Sequence, residues 1–144
     1  MSVTDGNGNN DDGEFILSRT GDIPLQFKAA VLDAASTCDL MNEKPSRWHY
    51  LTVYHAIDDK KFVAYVQWKS DWAGELPVDT CLISDSLLDV AEQLKAYDPV
   101  QHLIGYPDGA QFERKQERLK QTITAQWNAM LSGVFYKLVL SVGL

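Results

Sequence analysis

The chain has 144 residues, 45% of them hydrophobic, which suits one compact domain and leaves little room for a second. Its 20 acidic residues outnumber 13 Lys and Arg, for a net charge of −7, which disfavours nucleic-acid binding through a broad basic surface and suits a protein that must stay soluble. The longest apolar stretch, Met130 to Leu144, is shorter than the roughly 20 residues of a membrane span, and the N-terminus lacks the basic and apolar regions of a signal peptide, so a cytoplasmic protein without membrane contact is expected.

Residues 1–13 are mostly Gly, Asn, Asp and Ser, too polar to offset their ordering entropy. A disordered tail is expected there, followed by a single domain over 14–144. Phe15, Ile16 and Leu17 form a short apolar run that ends at the turn signal Thr20-Gly21-Asp22. Beyond Pro24 two periods compete. Leu25, Phe27, Ala29 and Val31 alternate with Gln26, Lys28 and Ala30, as in a strand, whereas "KAAVLDAA" is rich in helix formers. A strand over 24–36 is favoured slightly, because it could pair with the hairpin that follows.

Residues 47–57 and 61–70 are rich in Val, Tyr, Trp, Phe and Thr and flank the polar turn "DDKK". An even-length loop puts His49, Leu51, Val53, His55 and Ile57 on one face with Phe62, Ala64, Val66 and Trp68. The other face then carries Trp48, Tyr50, Thr52, Tyr54 and Ala56 with Lys61, Val63, Tyr65, Gln67 and Lys69. A one-residue slip would mix the two sets, so the even register is expected, with the Val53/Val66 face toward the core. Val78 to Ile83 reads as a further short strand. "SDSLLDVAEQLKAYDP" reads as a helix over 84–97, capped by Ser84 or Asp85 and stopped by Asp98-Pro99, with Leu87, Val90, Ala91, Leu94 and Tyr97 as its stripe. "VQHLIGYPDG" is a loop with a turn at 107–109. A long helix follows over 110–138. Its first half is narrow-striped and charged, and its apolar arc widens beyond Trp127 to include Leu131, Phe135, Val139 and Leu140. The expected fold is α+β: an antiparallel meander of three or four strands packed on two helices, the C-terminal one long.

The segment 47–75 holds seven of the fifteen aromatic side chains. Part of this aromatic surface is core. The remainder, Trp48, Tyr50, Tyr54 and Tyr65, admits a plain reading: cross-strand pairs, a Trp48–Lys69 cation–π contact, or a second core if the N-terminal segment folds over it. Aromatics with a polar tip are also enriched at interfaces and in ligand grooves. In "DWAGE", Trp72, Gly74 and Glu75 could line the end of a groove over the sheet. The plain reading there is a lid on the core and a solvated carboxylate.

Catalytic signals are absent from the sequence: no Gly-rich phosphate loop, no GxSxG elbow and no HExxH. His49 and His55 lie about 20 Å apart along one strand, too far to share a metal, and read as buried core residues. Asp11-Asp12 and Asp58-Asp59 lack calcium-loop spacing. Cys38 and Cys81 belong to no metal or redox motif and are expected as reduced, half-buried thiols. No catalytic residue, metal or cofactor is assigned.

"RTGDIPLQF" at 19–27, "WHYLTVYHAIDDKKFVAYVQW" at 48–68, "DWAGE" at 71–75 and "YDPVQHLIGYP" at 97–107 resemble, in that order, a group of small uncharacterised bacterial proteins. The resemblance spans most of 15–138. It implies a bacterial, cytoplasmic, single-domain protein, favours placing 24–36 in the sheet, and supplies no activity. The leading functional expectation is a non-enzymatic interaction or regulatory module forming a homo-oligomer or binding a protein partner. Its contact would be the aromatic face (Trp48, Tyr50, Tyr54, Tyr65, Trp72, Glu75), the end of the last helix (Leu131, Phe135, Val139, Leu140), or both. The alternative is a small-ligand-binding domain or small enzyme with its site on the aromatic face near Trp72 and Glu75. Nucleic-acid binding, or its mimicry by acidic surface, ranks third.

Overall fold

The computed structural model describes residues 13–40, 46–104 and 110–142. All but Gly13 of the tail expected over 1–13, and the turn expected at 107–109, lie outside the described residues. The elements run β1 (Gly13–Arg19), β2 (Asp22–Ser36), a 3-10 turn (Thr37–Leu40), β3 (Arg47–Ala56), β4 (Phe62–Ser70), β5 (Val78–Ser84), α1 (Leu87–Ala96) and α2 (Ala110–Val142). The strands form one antiparallel sheet in the order β1-β2-β3-β4-β5. The class is α+β as expected, with five strands rather than three or four, because the short apolar run at Phe15 joins the sheet as β1.

The β3–β4 register is the one the hydrophobic pattern requires: His49 faces Trp68, Leu51 faces Val66, Val53 faces Ala64 and His55 faces Phe62. The Ala56 amide donates to the Lys61 carbonyl at 2.7 Å, closing a four-residue loop in which Lys60 takes a left-handed φ of 55°. Leu51, Val53, Val66 and Trp68 are at most 1% exposed. Leu51, Val53 and Val66 meet Leu87, Val90 and Leu94 of α1 and Trp127, Met130, Leu131, Val134 and Leu138 of α2 in one core, and Trp68 packs on the His49 ring. Burying each large side chain contributes roughly 1.5–3 kcal/mol. Helix α1 is capped by Ser86, whose hydroxyl accepts from the Asp89 amide at 3.1 Å, rather than by Ser84 or Asp85 as expected.

Strand β2 resolves the competition of periods in favour of strand. "KAAVLDAA" has helix formers, but it pairs with β3 along most of its length and with β1 at Lys28 and Ala29, and those ladder bonds outweigh a local propensity of a few tenths of a kcal/mol per residue. Its two halves do different work. Residues 22–29 pair with β1 and residues 29–36 pair with β3, so Ala29, fully buried, is the hinge of the sheet. A bulge between Val31 and Asp33 adds bend, and a second irregularity lies between Leu17 and Arg19 of β1. The sheet therefore curls until its outer strands touch at one corner. The Thr20 amide donates to the Asp79 carbonyl at 2.9 Å, the Asp79 amide donates to Thr20 Oγ1 at 2.8 Å, and Ser18 Oγ donates to Asp79 Oδ2 at 2.6 Å.

Curling gives the sheet's other face a core of its own. Leu17, Ala29, Tyr54, Val63 and Tyr65 are buried there, with Phe15, Leu25, Phe27, Val31 and Cys81 packed around them. Phe15 and Phe27 approach the Tyr54 ring at centroid distances of 4.8 and 5.4 Å. Helix α2, about 50 Å long at 1.5 Å per residue, outruns the domain. From 113 to 122 none of its residues is buried, whereas Ile123, Trp127, Met130, Leu131, Val134 and Leu138 are. No helix among the described residues is long and apolar enough to cross a membrane.

Candidate functional site

The side chains expected to share one open aromatic face do not share one environment. Tyr54 and Tyr65 are each 6% exposed and belong to the second core, which corrects their place in a contact surface. Burial pushes the Tyr54 phenol up to about 12 and raises that of Tyr65. Tyr65 also serves the corner of the curl, its hydroxyl donating to the Ser18 carbonyl at 2.8 Å. Beside them burial pushes the Cys81 thiol up to about 11, a poor nucleophile. Trp48 is half-buried opposite Lys69 in the ladder, and Tyr50, 40% exposed, is the tyrosine of the set that reaches solvent. The physical reason is the bend in β2, which carries the β1–β2 hairpin over Tyr54 and Tyr65 but leaves the Trp48/Tyr50 end of β3 outside it.

Glu75 is not the solvated carboxylate of the plain reading. Its side chain is 1% exposed and that of Arg47 is 5% exposed. Arg47 Nε and Nη2 donate to Oε1 and Oε2, both at 2.7 Å. Ser70 Oγ adds a bond to Oε1 at 2.5 Å, and the Ile104 amide adds one to Oε2 at 3.0 Å. Burial alone would raise the carboxyl, but these four donors hold it down at about 2. All four acceptor positions of the carboxylate are taken. The group therefore neither accepts a proton near neutrality nor offers a lone pair to a ligand. It ties the start of β3, the end of β4 and the segment before residue 105 into one clasp. Trp72, 45% exposed, lays its ring over the Arg47 guanidinium at 4.7 Å. Gly74 makes the turn between them with a left-handed φ of 87°.

Arg47 escaped the sequence reading, although a signal existed. In the even register it pairs with Ser70, which brings the residues just after β4, Glu75 among them, back to its side. His49 is also more than a plain core residue. It is 1% exposed, with its ring 5.1 Å from Trp68, 4.9 Å from Trp127 and 6.3 Å from Tyr97. Burial lowers its pKa from 6.5 to about 4, with nearby His102 acting in the same direction and a bond to the Pro99 backbone opposing. His49 Nε2 and the indole nitrogens of Trp68 and Trp127 are buried without a hydrogen-bond partner among the described residues. His55 lies at the far end of the strand, stacked on Phe62 at 4.4 Å.

On α2, Leu131 is 3% exposed and belongs to the first core, and Phe135 packs against that core from its edge. Burial corrects the place of Leu131 in a self-association face, and Phe135 is half-buried. Val139 and Leu140 are 43% and 68% exposed, and Tyr136, which the sequence reading passed over, is 68% exposed. It falls on the side of the helix opposite Trp127, Val134 and Leu138, and counting turns outward from the core stripe would have found it. A cavity of about 180 Å³ opens between β2 and α2, where Lys137 Nζ lies 3.8 Å from Asp33 Oδ1. A second, of about 500 Å³, runs along α2 from Glu117 to Asn128. Neither touches the aromatic face. Among the described residues no group of three or more His, Cys, Asp or Glu could hold a metal ion. Comparison with protein-family models, with curated proteins and with solved structures finds no match to this chain.

Proposed function

We propose that this protein is a non-enzymatic interaction module of the cytoplasm that self-associates through the outward face of α2. One observation carries the reading. Tyr136, Val139 and Leu140 stand together at i, i+3 and i+4, each at least 43% exposed, on a helix whose opposite side is already committed to the core. Apolar area covered by a second chain returns about 25 cal/mol per Å², so a solvent-facing Tyr, Val and Leu on adjacent turns favour association. The burial of Tyr54 and Tyr65 shifts the expected contact from sheet to helix. The ligand-site alternative near Trp72 has weaker support, since the Glu75 oxygens are saturated by Arg47, Ser70 and Ile104. Light scattering across a concentration series tests the proposal. A mass of two or more chains that falls to one in a Tyr136→Lys, Leu140→Lys variant is the expected result. A strict monomer at high concentration, with no partner co-purifying, would defeat it.

A further inference from the structure

We infer that two copies pair antiparallel along α2, with Arg118 of each resting on the Tyr136 ring of the other; this rests on the self-association proposed above and gives it a geometry. The exposed side of α2 is one unbroken stripe, and its chemistry changes along it. Arg114 and Arg118 lie at one end, Ala125 and Ala129 at the middle, Tyr136 and Leu140 at the other end, and all are exposed. Successive members are four or seven residues apart, so they share a face, and that face is opposite Trp127, Val134 and Leu138. Neither Arg114 nor Arg118 makes an ion pair among the described residues.

The stripe is symmetric about position 127. Arg118 and Tyr136 are each nine residues from it, about 13 Å along the axis at 1.5 Å per residue, and Arg114 and Leu140 are each thirteen away. Turning a second copy end for end therefore sets Arg118 beside Tyr136, Arg114 beside Leu140 and Ala125 beside Ala129. A guanidinium meets the face of an aromatic ring, an Arg stem covers a Leu, and the two alanines let the backbones approach closely. The parallel arrangement is opposed by the same residues, since Arg114 and Arg118 would each face themselves. A twofold contact of this kind is self-complementary and closed, which stops association at the dimer. The second chain is thus specified by chemistry on the first: a cationic third and an apolar third at equal distances from a small-residue centre.

Cysteine cross-linking of the full chain, read alongside light scattering, tests the geometry. Ala125→Cys and Ala129→Cys chains are mixed and mildly oxidised, with the unaltered chain as control for Cys38 and Cys81. The expected result is a mixed 125–129 disulfide that forms faster than either chain links to itself, since close helix contact brings these Cα atoms within disulfide reach. Arg118→Cys alone should not link. Arg118→Ala and Tyr136→Ala should each weaken the dimer about three- to tenfold, and the double variant by less than the product, because the two side chains share one contact. Far-ultraviolet dichroism should be unchanged, as all these positions face solvent. A dimer in which Arg118→Cys links to itself, in which no α2 cysteine links, or in which the two alanine effects multiply would overturn the antiparallel pairing while leaving self-association standing. A chain that is monomeric throughout overturns both.

Discussion

Acidification should unload stability through His49 in a pH window set by its burial. The ring is 1% exposed and boxed by Trp68, Trp127 and Tyr97, and its pKa falls from 6.5 to about 4. Because the folded value is the lower one, the unfolded chain binds the proton more readily. The contribution is therefore complete above pH 6.5, falls as pH drops toward 4, and changes no further below that. Linkage through a pKa of 6.5 unfolded and about 4 folded gives a loss of about 2 kcal/mol at pH 5 and about 3 kcal/mol at pH 4. That is a large share of the roughly 5–15 kcal/mol that holds a domain together. His102, whose pKa burial also lowers, adds in the same direction. Urea unfolding followed by tryptophan fluorescence at pH 7, 6, 5 and 4 measures the loss, and His49→Phe isolates it. The ring of Phe fills the box but does not titrate, so most of the dependence between pH 6.5 and 4 should vanish. A variant that keeps the full pH dependence of the unaltered chain would refute the reasoning and move the acid-sensitive group elsewhere.

Glu75→Gln should destabilise by about 3–5 kcal/mol, because Arg47 is left charged and buried and an amide donor faces other donors; replacing both partners by apolar residues of similar volume should recover much of the loss in the same urea assay. Glu75 also predicts a second acid transition, at lower pH than that of His49. Its carboxyl is held at about 2 against an ordinary 4.5, so its contribution is present above 4.5 and lost as pH falls toward 2, and it should disappear in Glu75→Gln. Ultraviolet titration should show the Tyr54 and Tyr97 phenols ionising near 12, later than a free phenol, with loss of structure if they are forced earlier. Ser86→Ala should cost about 1 kcal/mol through the lost cap of α1, and Ser84→Ala should leave the α1 cap intact.

The parts of this protein that were legible in the chain are those whose periods repeat over many residues. The parity of β3 and β4 was readable because nine consecutive pairs all satisfy one register and only one. The α1 stripe and the long α2 were readable for the same reason, at a period of 3.6. β1 was harder. Its apolar run is short, and its strand character shows only once the first half of β2, which extends past the end of β3, is seen to need a partner of its own. Arg47 and Glu75, 28 residues apart, are linked by no local rule, and the one signal that joins them is the β3–β4 register, which sets Arg47 opposite Ser70.

What the sequence determined by itself is the inside of the sheet: which side of each hairpin strand faces the helices, and which helix faces answer it, since alternation and helical repeat are properties of neighbouring residues. What only the tertiary structure decided is what covers the sheet's other side. Whether Tyr54 and Tyr65 meet water or protein depends on how far the sheet bends. That bend comes from a bulge at Val31/Asp33 and from the contact of Ser18 and Thr20 with Asp79 about sixty residues away. Curvature is a sum over all five strands and has no period, so it leaves no repeating mark along the chain. It nonetheless turned a would-be contact surface into a second core, while Tyr136, Val139 and Leu140 on α2 stay exposed.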